Sequence, residues 1–191
     1  MPISHILLRR YGFLSLLDMD RRKLVIITVF AAVIVTALLY KPVSIAVFWL
    51  TEPAFKCPVK LSSGEGIVIR NDAGGDGDFG AKRRNGRSHL GIDIQAPIGT
   101  PVMASKSGLA FCLNVPTGYG KYVLIYQPDG VLTLYGHLSE WNTETGTLVK
   151  RGQIIGFVGK TGNAKSRYIE PHLHFEIRKN NIPQDPQNLV R

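Results

Sequence analysis

Two histidines spaced two residues apart near the C-terminus have the clearest potential for chemistry in this chain. They lie in the segment Pro171–Glu176, Pro-His-Leu-His-Phe-Glu, which alternates polar and apolar residues. In a β-strand this alternation places His172, His174 and Glu176 on one face and the apolar residues between them on the other. Same-face neighbours lie about 6–7 Å apart. One imidazole can therefore bind a metal ion while the other reaches a water molecule or a substrate beside it.

Three further residues have settings that suit the same chemistry. His89 and Asp93 flank Leu-Gly-Ile, and His137 ends a predicted strand in the run Tyr-Gly-His-Leu. In a straight strand, residues four apart are separated by about 13 Å. That is too far for two ligands that each lie about 2 Å from one zinc ion. The chain must therefore bend between His89 and Asp93, and Gly91 offers the backbone freedom for such a bend.

The number of histidines indicates the kind of site. The chain contains five, of which only His5 lies far from these motifs. Four histidines and one aspartate exceed what a closed structural zinc site needs, and no cysteine pair has zinc-finger spacing. Three protein ligands, an open position and two spare imidazoles are the composition of a catalytic zinc site. The alternative is a set of separate histidines in an ordinary β domain, since short motifs often match by chance.

Several motifs together resemble the lysostaphin-type (LytM-domain) zinc metallopeptidases and occur in the same order. They are His89-Leu-Gly-Ile-Asp93, Gly99-Thr-Pro-Val102, Tyr135-Gly-His-Leu138, Val149–Gly159 and Pro171–Glu176. The resemblance covers roughly residues 79–186. It implies one zinc ion per chain, with His89, Asp93 and His174 as ligands. It also places His137 and His172 beside the metal as catalytic residues.

The resemblance implies a zinc metalloendopeptidase that hydrolyses peptide cross-links in peptidoglycan. All five expected positions are occupied by the expected residue types. Some members of the family lack them and resemble activators of amidases. The alternative function is therefore a non-catalytic LytM-like regulator that binds the cell wall or activates a partner amidase. A biotinyl- or lipoyl-type carrier domain is disfavoured: residues 99–102 and 149–159 resemble its hairpins, but no lysine stands in the turn that is modified.

The expected mechanism divides the work among these side chains. A zinc ion with three protein ligands lowers the pKa of a water molecule towards about 7. One of His137 and His172 acts as general base and the other stabilises the oxyanion, and the sequence leaves open which does which. Glu176 is expected either to orient an imidazole or, as the commoner case, to be a surface charge at the strand end. Candidate walls of a substrate groove are the loops 62–87, 141–147 and 163–170, with Tyr119, Tyr122 and Tyr168 as candidate lining residues.

Short strands are the elements that would position these residues. From residue 91 onward, β-prone apolar segments alternate with turn signals, and none has a helical period over ten positions. Strands are predicted at 92–94, 101–104, 108–113, 122–126, 131–135, twice within 148–159, and at 171–178. Asp129-Gly130 predicts a hairpin turn, and the Gly/Asp/Asn-rich run 70–80 predicts an irregular loop. We expect a mostly β fold, an antiparallel sheet or sandwich. The resemblance implies its LytM-like form, the duplicated hybrid motif.

An apolar segment near the N-terminus predicts a membrane helix. Residues 24–40 include no charged side chain over 17 positions, and the apolar run extends to residue 50 if the helix continues past Pro42. This length is at the short end for a spanning helix. Five basic residues precede the segment, whereas only Lys41 and Lys56 follow it closely. The positive-inside rule then predicts a single-pass anchor in the inner (cytoplasmic) membrane, with the N-terminus in the cytoplasm. A cleaved signal peptide is the alternative.

The predicted organisation is a cytoplasmic segment 1–23, an anchor 24–40, a linker 51–63 and a periplasmic or extracellular peptidase domain 64–191. The net charge of +9 falls about equally on the two sides of residue 41. This mild basicity suits a cell-wall polymer or a membrane surface, and export argues against nucleic acid as a partner. In an oxidising compartment Cys57 and Cys112 either pair as a disulfide or remain free, buried thiols.

Overall fold

A computed structural model describes residues 20–60, 66–83 and 86–189 of the chain. The first 19 residues, with His5 and most of the predicted cytoplasmic segment, lie outside the described part. The chain divides into two compact units, Met1–Ser44 and Ile45–Arg191. The elements in chain order are helix α1 Arg21–Thr51, strands β1 Asn71–Asp72, β2 Gly75–Asp76, β3 Ile92–Gln95, β4 Pro101–Met103, β5 Gly108–Asn114, β6 Lys121–Tyr126, β7 Val131–Trp141, β8 Leu148–Val149 and β9 Ile154–Val158, the 3₁₀ turn Gly162–Lys165, and strands β10 His172–Lys179 and β11 Ile182–Gln184.

The first unit contains most of helix α1, which is long and apolar enough to cross a membrane by length and composition. The helix continues past Pro42 to Thr51, a total of 31 residues. At about 1.5 Å per residue it is about 46 Å long, more than the roughly 30 Å hydrocarbon core of a bilayer. The helix is thus longer than the uncharged run 24–40 alone, and it includes the apolar residues after Pro42.

The second unit is built on one antiparallel sheet of nine strands among the described residues. Its strand order is β11-β10-β7-β6-β5-β8, with β3 beside β10, and β9 beside both β7 and β4. The long strand β7 lies between β10 and β6 over its first half, and its C-terminal part pairs with β9. The mostly β, antiparallel fold expected from the sequence is confirmed. The hairpin predicted at Asp129-Gly130 joins β6 to β7, and Gly130 has a positive φ of 80°.

Two short pairings were not anticipated from the sequence. The β1–β2 hairpin forms within the Gly/Asp/Asn-rich run that predicted an irregular loop. Strand β11 pairs with the end of β10. Strands of two or three residues that contain Gly, Asp or Pro show no hydrophobic alternation, so a pattern search does not find them.

The segment after helix α1, expected to be a linker at 51–63, packs against the sheet over its described part. Val59 is buried and forms an isolated β-bridge with Val102. Lys56 N–H donates to the Ser105 carbonyl at 3.0 Å, and Met103 N–H donates to the Pro58 carbonyl at 2.7 Å. Residues 52–60 therefore belong to the second compact unit.

Both cysteines are free thiols, so the disulfide alternative does not form in this structure. Cys57 and Cys112 are each half-buried and pack against the hydrophobic core. Burial raises the pKa of both thiols, which lowers the fraction of the reactive thiolate form.

Strand β10 separates the core from the candidate site. Leu173, Phe175 and Ile177 are buried in the core on one face, as the alternation predicts. The opposite face holds His172, His174 and Glu176, which are buried as well. Glu176 is only 1% exposed, so its interpretation as a surface charge is wrong.

Candidate metal centre and its cleft

The structure brings all five predicted site residues together at the junction of β3, β7 and β10. The antiparallel register sets Asp93 of β3 opposite His174 of β10. On its other side His174 is opposite Gly136 of β7, which directly precedes His137. Every one of the five side chains is buried. Strand register therefore places Asp93 beside the His-x-His pair, and it places Gly136, next to His137, on the other side.

Three of these side chains form a cluster that could hold a metal ion. The ligand atoms of His89, Asp93 and His174 all lie within 4.8 Å of one another. His174 Nδ1 is 2.8 Å from Asp93 Oδ1, and His89 Nε2 is 3.0 Å from His174 Nδ1. Bonds of about 2.0–2.1 Å to a tetrahedral zinc ion place ligand atoms about 3.3 Å apart. Two imidazole nitrogens and a carboxylate oxygen suit zinc, and shifts of a few tenths of an ångström would admit it.

Each of the three residues has its other polar atom engaged elsewhere. His89 Nδ1 donates to the Asp78 carbonyl at 2.9 Å, and His174 Nε2 donates to Glu176 Oε1 at 2.9 Å. Asp93 Oδ2 accepts from Arg70 at 2.8 Å and from Arg83 at 3.1 Å. One donor atom per residue is left to face the cluster, which is the arrangement that outer partners impose on metal ligands.

The charges of the cluster are strongly coupled. Burial opposes ionisation of Asp93, but the hydrogen bond from His174 and the charge of that imidazole hold the pKa of this carboxyl well below its usual range. Burial also opposes a charge on His174, but hydrogen bonds to Asp93 and Glu176 raise its pKa to about 9. Without a metal the two residues form an imidazolium–carboxylate pair. A metal ion would have to displace the His174 proton in order to bind.

His137 and His172 lie beside the cluster and are each held by one ring nitrogen. His137 Nδ1 donates to the Thr161 carbonyl at 2.9 Å, and His172 Nδ1 donates to the Glu170 carbonyl at 2.7 Å. Burial lowers the pKa of both imidazoles, and that of His137 falls to about 3 because the neighbouring imidazoles add to the effect. Both are neutral near pH 7, with Nε2 as a proton acceptor. His172 Nε2 is 3.8 Å from Asp93 Oδ1.

A bulge in β7 aims His137 at the cleft. His137 has a positive φ of 62°, which is uncommon for a residue with a side chain. The pairing of β7 shifts register on both sides of it, against β6 and against β9. The strand therefore continues to Trp141 instead of ending at His137. Such bulges redirect side chains next to functional sites.

The bend between His89 and Asp93 has a different origin from the one expected. The φ of Gly91 is not in the left-handed region, so the bend does not depend on a backbone conformation that favours glycine. A Cβ at Gly91 would lie 2.2 Å from the Phe175 carbonyl oxygen. Gly91 is needed because the chain passes directly against β10 there. His89 precedes β3, and its N–H donates to the Ala81 carbonyl at 2.9 Å.

A network behind His174 was only partly visible from the sequence. The Tyr119 hydroxyl donates to Glu176 Oε1 at 2.7 Å, and Arg178 Nε donates to Glu176 Oε2 at 2.7 Å. Arg178 continues the alternation of β10 on the same face as His174 and Glu176, so this alternation predicts that it lies beside them. Arg70 and Arg83 come from the Gly/Asp-rich region, where no spacing pattern indicates a role.

A cleft of about 450 Å³ opens over the cluster. Its walls come from two of the three predicted loops: Arg70, Gly74, Arg83 and Arg87 from the first, and Asn163, Ala164 and Ile169 from the third. Tyr119 lines the cleft, whereas Tyr122 and Tyr168 do not. The loop 141–147 does not line it either; it packs on β5, where Gly146 N–H donates to the Ala110 carbonyl at 2.8 Å.

The fold and the site define a class: an antiparallel β protein with a His/Asp/His cluster of the metallopeptidase type. Residues 87–186 match the model of peptidase family M23. The chain belongs to this peptidase family. The resemblance to lysostaphin-type peptidases is confirmed.

Two peptidases of known name are similar to this chain over about half of its length. The DD-carboxypeptidase/endopeptidase Mpg of Neisseria meningitidis is 46% identical over 104 residues, 54% of this chain and 23% of Mpg. Lysostaphin of Staphylococcus simulans is 38% identical over 117 residues, 56% of this chain and 22% of lysostaphin. The match thus spans less than a quarter of the length of these curated relatives. A crystal structure of a zinc-containing peptidase from Vibrio cholerae is similar, with a TM-score of 0.57 and 34% identity over 71% of this chain and 40% of that one.

Proposed function

We propose that this chain is a membrane-anchored zinc endopeptidase that hydrolyses peptide cross-links in peptidoglycan. One observation carries the proposal: three metal-ligand atoms within 4.8 Å of one another share a cleft with the imidazoles of His137 and His172. A structural zinc site has four protein ligands and no open position, so it would not need two further neutral imidazoles beside the metal. Membership of family M23 supports the reaction class and the substrate.

In the proposed mechanism His89, Asp93 and His174 hold the zinc ion. The ion supplies Lewis acidity and lowers the pKa of a water molecule towards about 7. His137 or His172, each with Nδ1–H on a backbone carbonyl, accepts the proton of the attacking water at Nε2. That imidazolium then gives the proton to the leaving amine. The other histidine would stabilise the oxyanion by a hydrogen bond from Nε2 in its protonated form, because its Nδ1–H is already donated to a backbone carbonyl.

Removal of the metal tests the proposal directly. We expect EDTA to abolish cleavage of purified peptidoglycan by the full-length protein in detergent and zinc to restore it, because the water and the carbonyl both need the ion. Muropeptide analysis by chromatography and mass spectrometry measures the cleavage. Cleavage by protein whose metal content is shown to be zero would contradict the mechanism.

His172→Ala separates chemistry from metal binding. We expect this variant to keep its bound zinc, measured by elemental analysis, and to cleave about 10²–10⁴-fold more slowly, the usual contribution of a positioned acid–base group. His5→Ala is the matched control, since His5 is the one histidine far from the motifs. A wild-type chain that binds peptidoglycan or activates an amidase without cleaving would support the regulator alternative instead.

A further inference from the structure

The Gly/Asp-rich run ahead of His89 holds the main chain of Asp93 on both sides. We call residues 70–78 the hairpin segment, because it includes β1 and β2. Arg70 N–H donates to the Asp93 carbonyl at 2.9 Å, and Asp93 N–H donates to the Gly77 carbonyl at 2.9 Å. Gly77 N–H in turn donates to the Arg70 carbonyl at 2.8 Å. The hairpin segment thus acts as an extra strand edge for the residue that carries the cluster's only carboxylate.

The side chain of Arg70 lies between two carboxylates. Its Nη2 donates to Asp93 Oδ2 at 2.8 Å, and its Nη1 donates to Asp72 Oδ1. The Arg70 side chain is only 4% exposed, and that of Asp72 is 11% exposed. A guanidinium group has a rigid fork of donors, so its two ends hold the two carboxylates at a set distance and angle.

Asp72 links the hairpin segment to the loop before β10. Its Oδ2 accepts from Glu170 N–H at 2.6 Å, and its Oδ1 also accepts from Gly74 N–H at 2.7 Å. The carbonyl of the same residue, Glu170, accepts from His172 Nδ1 at 2.7 Å. A continuous series of hydrogen bonds therefore runs from Asp93 through Arg70, Asp72 and the backbone of residue 170 to His172.

Close packing fixes the hairpin segment in this position. A Cβ at Gly74 would lie 2.7 Å from Ile169 Cγ1, and a Cβ at Gly77 would lie 2.6 Å from the Arg70 carbonyl oxygen. Only glycine permits both approaches. Gly74 is therefore needed for contact with the loop 163–170, and Gly77 for the close approach to the backbone of Arg70 and to Asp93.

We propose that Arg70 and Asp72 are positioning residues that hold the metal-ligand carboxylate of Asp93 and the imidazole of His172 in a fixed relation. This inference rests on the proposed function of those two residues. Arg70, the closer and more buried of the two arginine partners of Asp93 Oδ2, directs Oδ1 towards the cluster, and Arg83 donates to the same Oδ2 at 3.1 Å. Asp72 holds the backbone of residue 170, whose carbonyl keeps the proton of His172 on Nδ1 and leaves Nε2 as the acceptor.

Two substitutions distinguish the two ends of this series. In Asp72→Asn the amide oxygen would face Arg70 and Gly74, which offer two donors, so the amide nitrogen would face the Glu170 N–H and lose that bond. The Asp93 end stays intact. Arg70→Met also removes the shorter of the two arginine hydrogen bonds to Asp93 Oδ2, leaves that of Arg83, and keeps the apolar volume. Asp76→Asn is the matched control. Asp76 is exposed, and within residues 66–83 and 86–189 its side chain accepts from Asp78 N–H alone, whereas Arg83 donates to its backbone oxygen.

The experiment uses full-length protein in detergent, with zinc affinity measured by competition with a chromophoric chelator. We expect Arg70→Met to weaken zinc binding by about 10–100-fold, the usual effect of losing an outer partner of a ligand. Asp72→Asn should leave zinc affinity unchanged and lower kcat by about 10–100-fold with little change in KM. In ¹⁵N–¹H NMR spectra of the metal-free protein, Asp72→Asn should move the His172 proton from Nδ1 towards a mixture of tautomers.

The zinc affinity and the NMR spectra need no substrate, so they test the inference even if the wild type does not cleave peptidoglycan. Arg70→Met with wild-type zinc affinity would overturn the role of Arg70. The role of Asp72 would be overturned if Asp72→Asn had the same His172 tautomer and the same kcat as the control Asp76→Asn. Thermal unfolding of each variant checks whether a loss of zinc affinity or kcat is only a loss of folded protein. Arg70→Lys keeps the positive charge but not the forked guanidinium group, so it should be more stable than Arg70→Met and still bind zinc more weakly than the wild type.

Discussion

At the scale of single residues, the choice of ring nitrogen assigns different roles to the histidines. His89, His137 and His172 each donate from Nδ1 to a backbone carbonyl. His174 is reversed: its Nδ1 faces Asp93, and its Nε2 donates to Glu176. Because a carboxylate behind an imidazole makes the opposite nitrogen a better ligand, His174 suits metal binding. His172 has its Nδ1 on a neutral carbonyl, as the metal-ligand candidate His89 does, so its proposed role in proton transfer rests on its position beside the cluster.

We therefore expect Glu176→Gln to weaken zinc binding by about 10–100-fold, because the neutral amide no longer increases the basicity of His174. The amide nitrogen would also face the donors of Arg178, so we expect a loss of about 1–3 kcal/mol in the free energy of unfolding. Chelator competition measures the first effect and denaturant unfolding of the metal-free protein measures the second.

Tyr119→Phe is the control for this prediction. It removes one hydrogen bond to Glu176 Oε1 but keeps the carboxylate behind His174, so zinc affinity should change much less. If Glu176→Gln lowered stability and left zinc affinity at the wild-type value, Glu176 would serve the fold alone.

At the scale of elements, the register of β3, β7 and β10 brings the segments that carry the site residues together. The alternation in β10 predicted which face would hold His172 and His174, and the turn signals predicted the strands around it. What the sequence could not provide is the contact between distant segments. The hairpin segment has no hydrophobic period, and the bulge at His137 is an exception to strand geometry that no local pattern encodes. Both therefore appeared only in three dimensions.

Gly91 is the position where register and site depend on each other most directly. Its missing side chain lets the start of β3 lie against the Phe175 carbonyl, one residue from the His174–Asp93 pair. We expect Gly91→Ala to cost about 2–3 kcal/mol by overpacking, a drop in Tm of about 5–10 °C for a chain of this size. The same displacement should lower zinc affinity. Calorimetry and chelator competition measure the two effects.

Gly66→Ala provides the comparison, since no heavy atom lies within 4 Å of a Cβ there and its φ is not in the left-handed region. Its free energy of unfolding should stay within about 0.5 kcal/mol of the wild type. A Gly91→Ala variant as stable as Gly66→Ala would show that β3 can move away from β10 without loss.

At the scale of the whole molecule, the second compact unit begins earlier than the predicted domain boundary. It starts at Ile45 and includes the end of helix α1 and residues 52–60. Within this unit the Lys106 ammonium lies 4.5–5.1 Å from the ring centroids of Phe48, Trp49 and Phe55. Glu52 also accepts from the N–H and the hydroxyl of Ser107. Because these contacts join the end of the helix to the sheet, the peptidase unit includes residues that the sequence assigned to the membrane segment and the linker.

We propose that the charges beside the apolar run set the orientation of the chain in a membrane, with the N-terminus in the cytoplasm. Arg9, Arg10, Arg21, Arg22 and Lys23 precede the apolar run, and basic residues beside a spanning helix remain in the cytoplasm. We expect a C-terminal alkaline phosphatase fusion, which is active only outside the cytoplasm, to be active, and a green fluorescent protein fusion exported by the same route to be dark. The fusion should stay in the membrane fraction after carbonate extraction, because the 31-residue helix is retained as an anchor.

Replacing Arg21, Arg22 and Lys23 by asparagine should produce mixed orientations, whereas replacing Lys41 and Lys56 should not. A fluorescent C-terminal fusion in the wild type would place the peptidase unit in the cytoplasm, and an active but extractable phosphatase fusion would indicate a cleaved signal peptide.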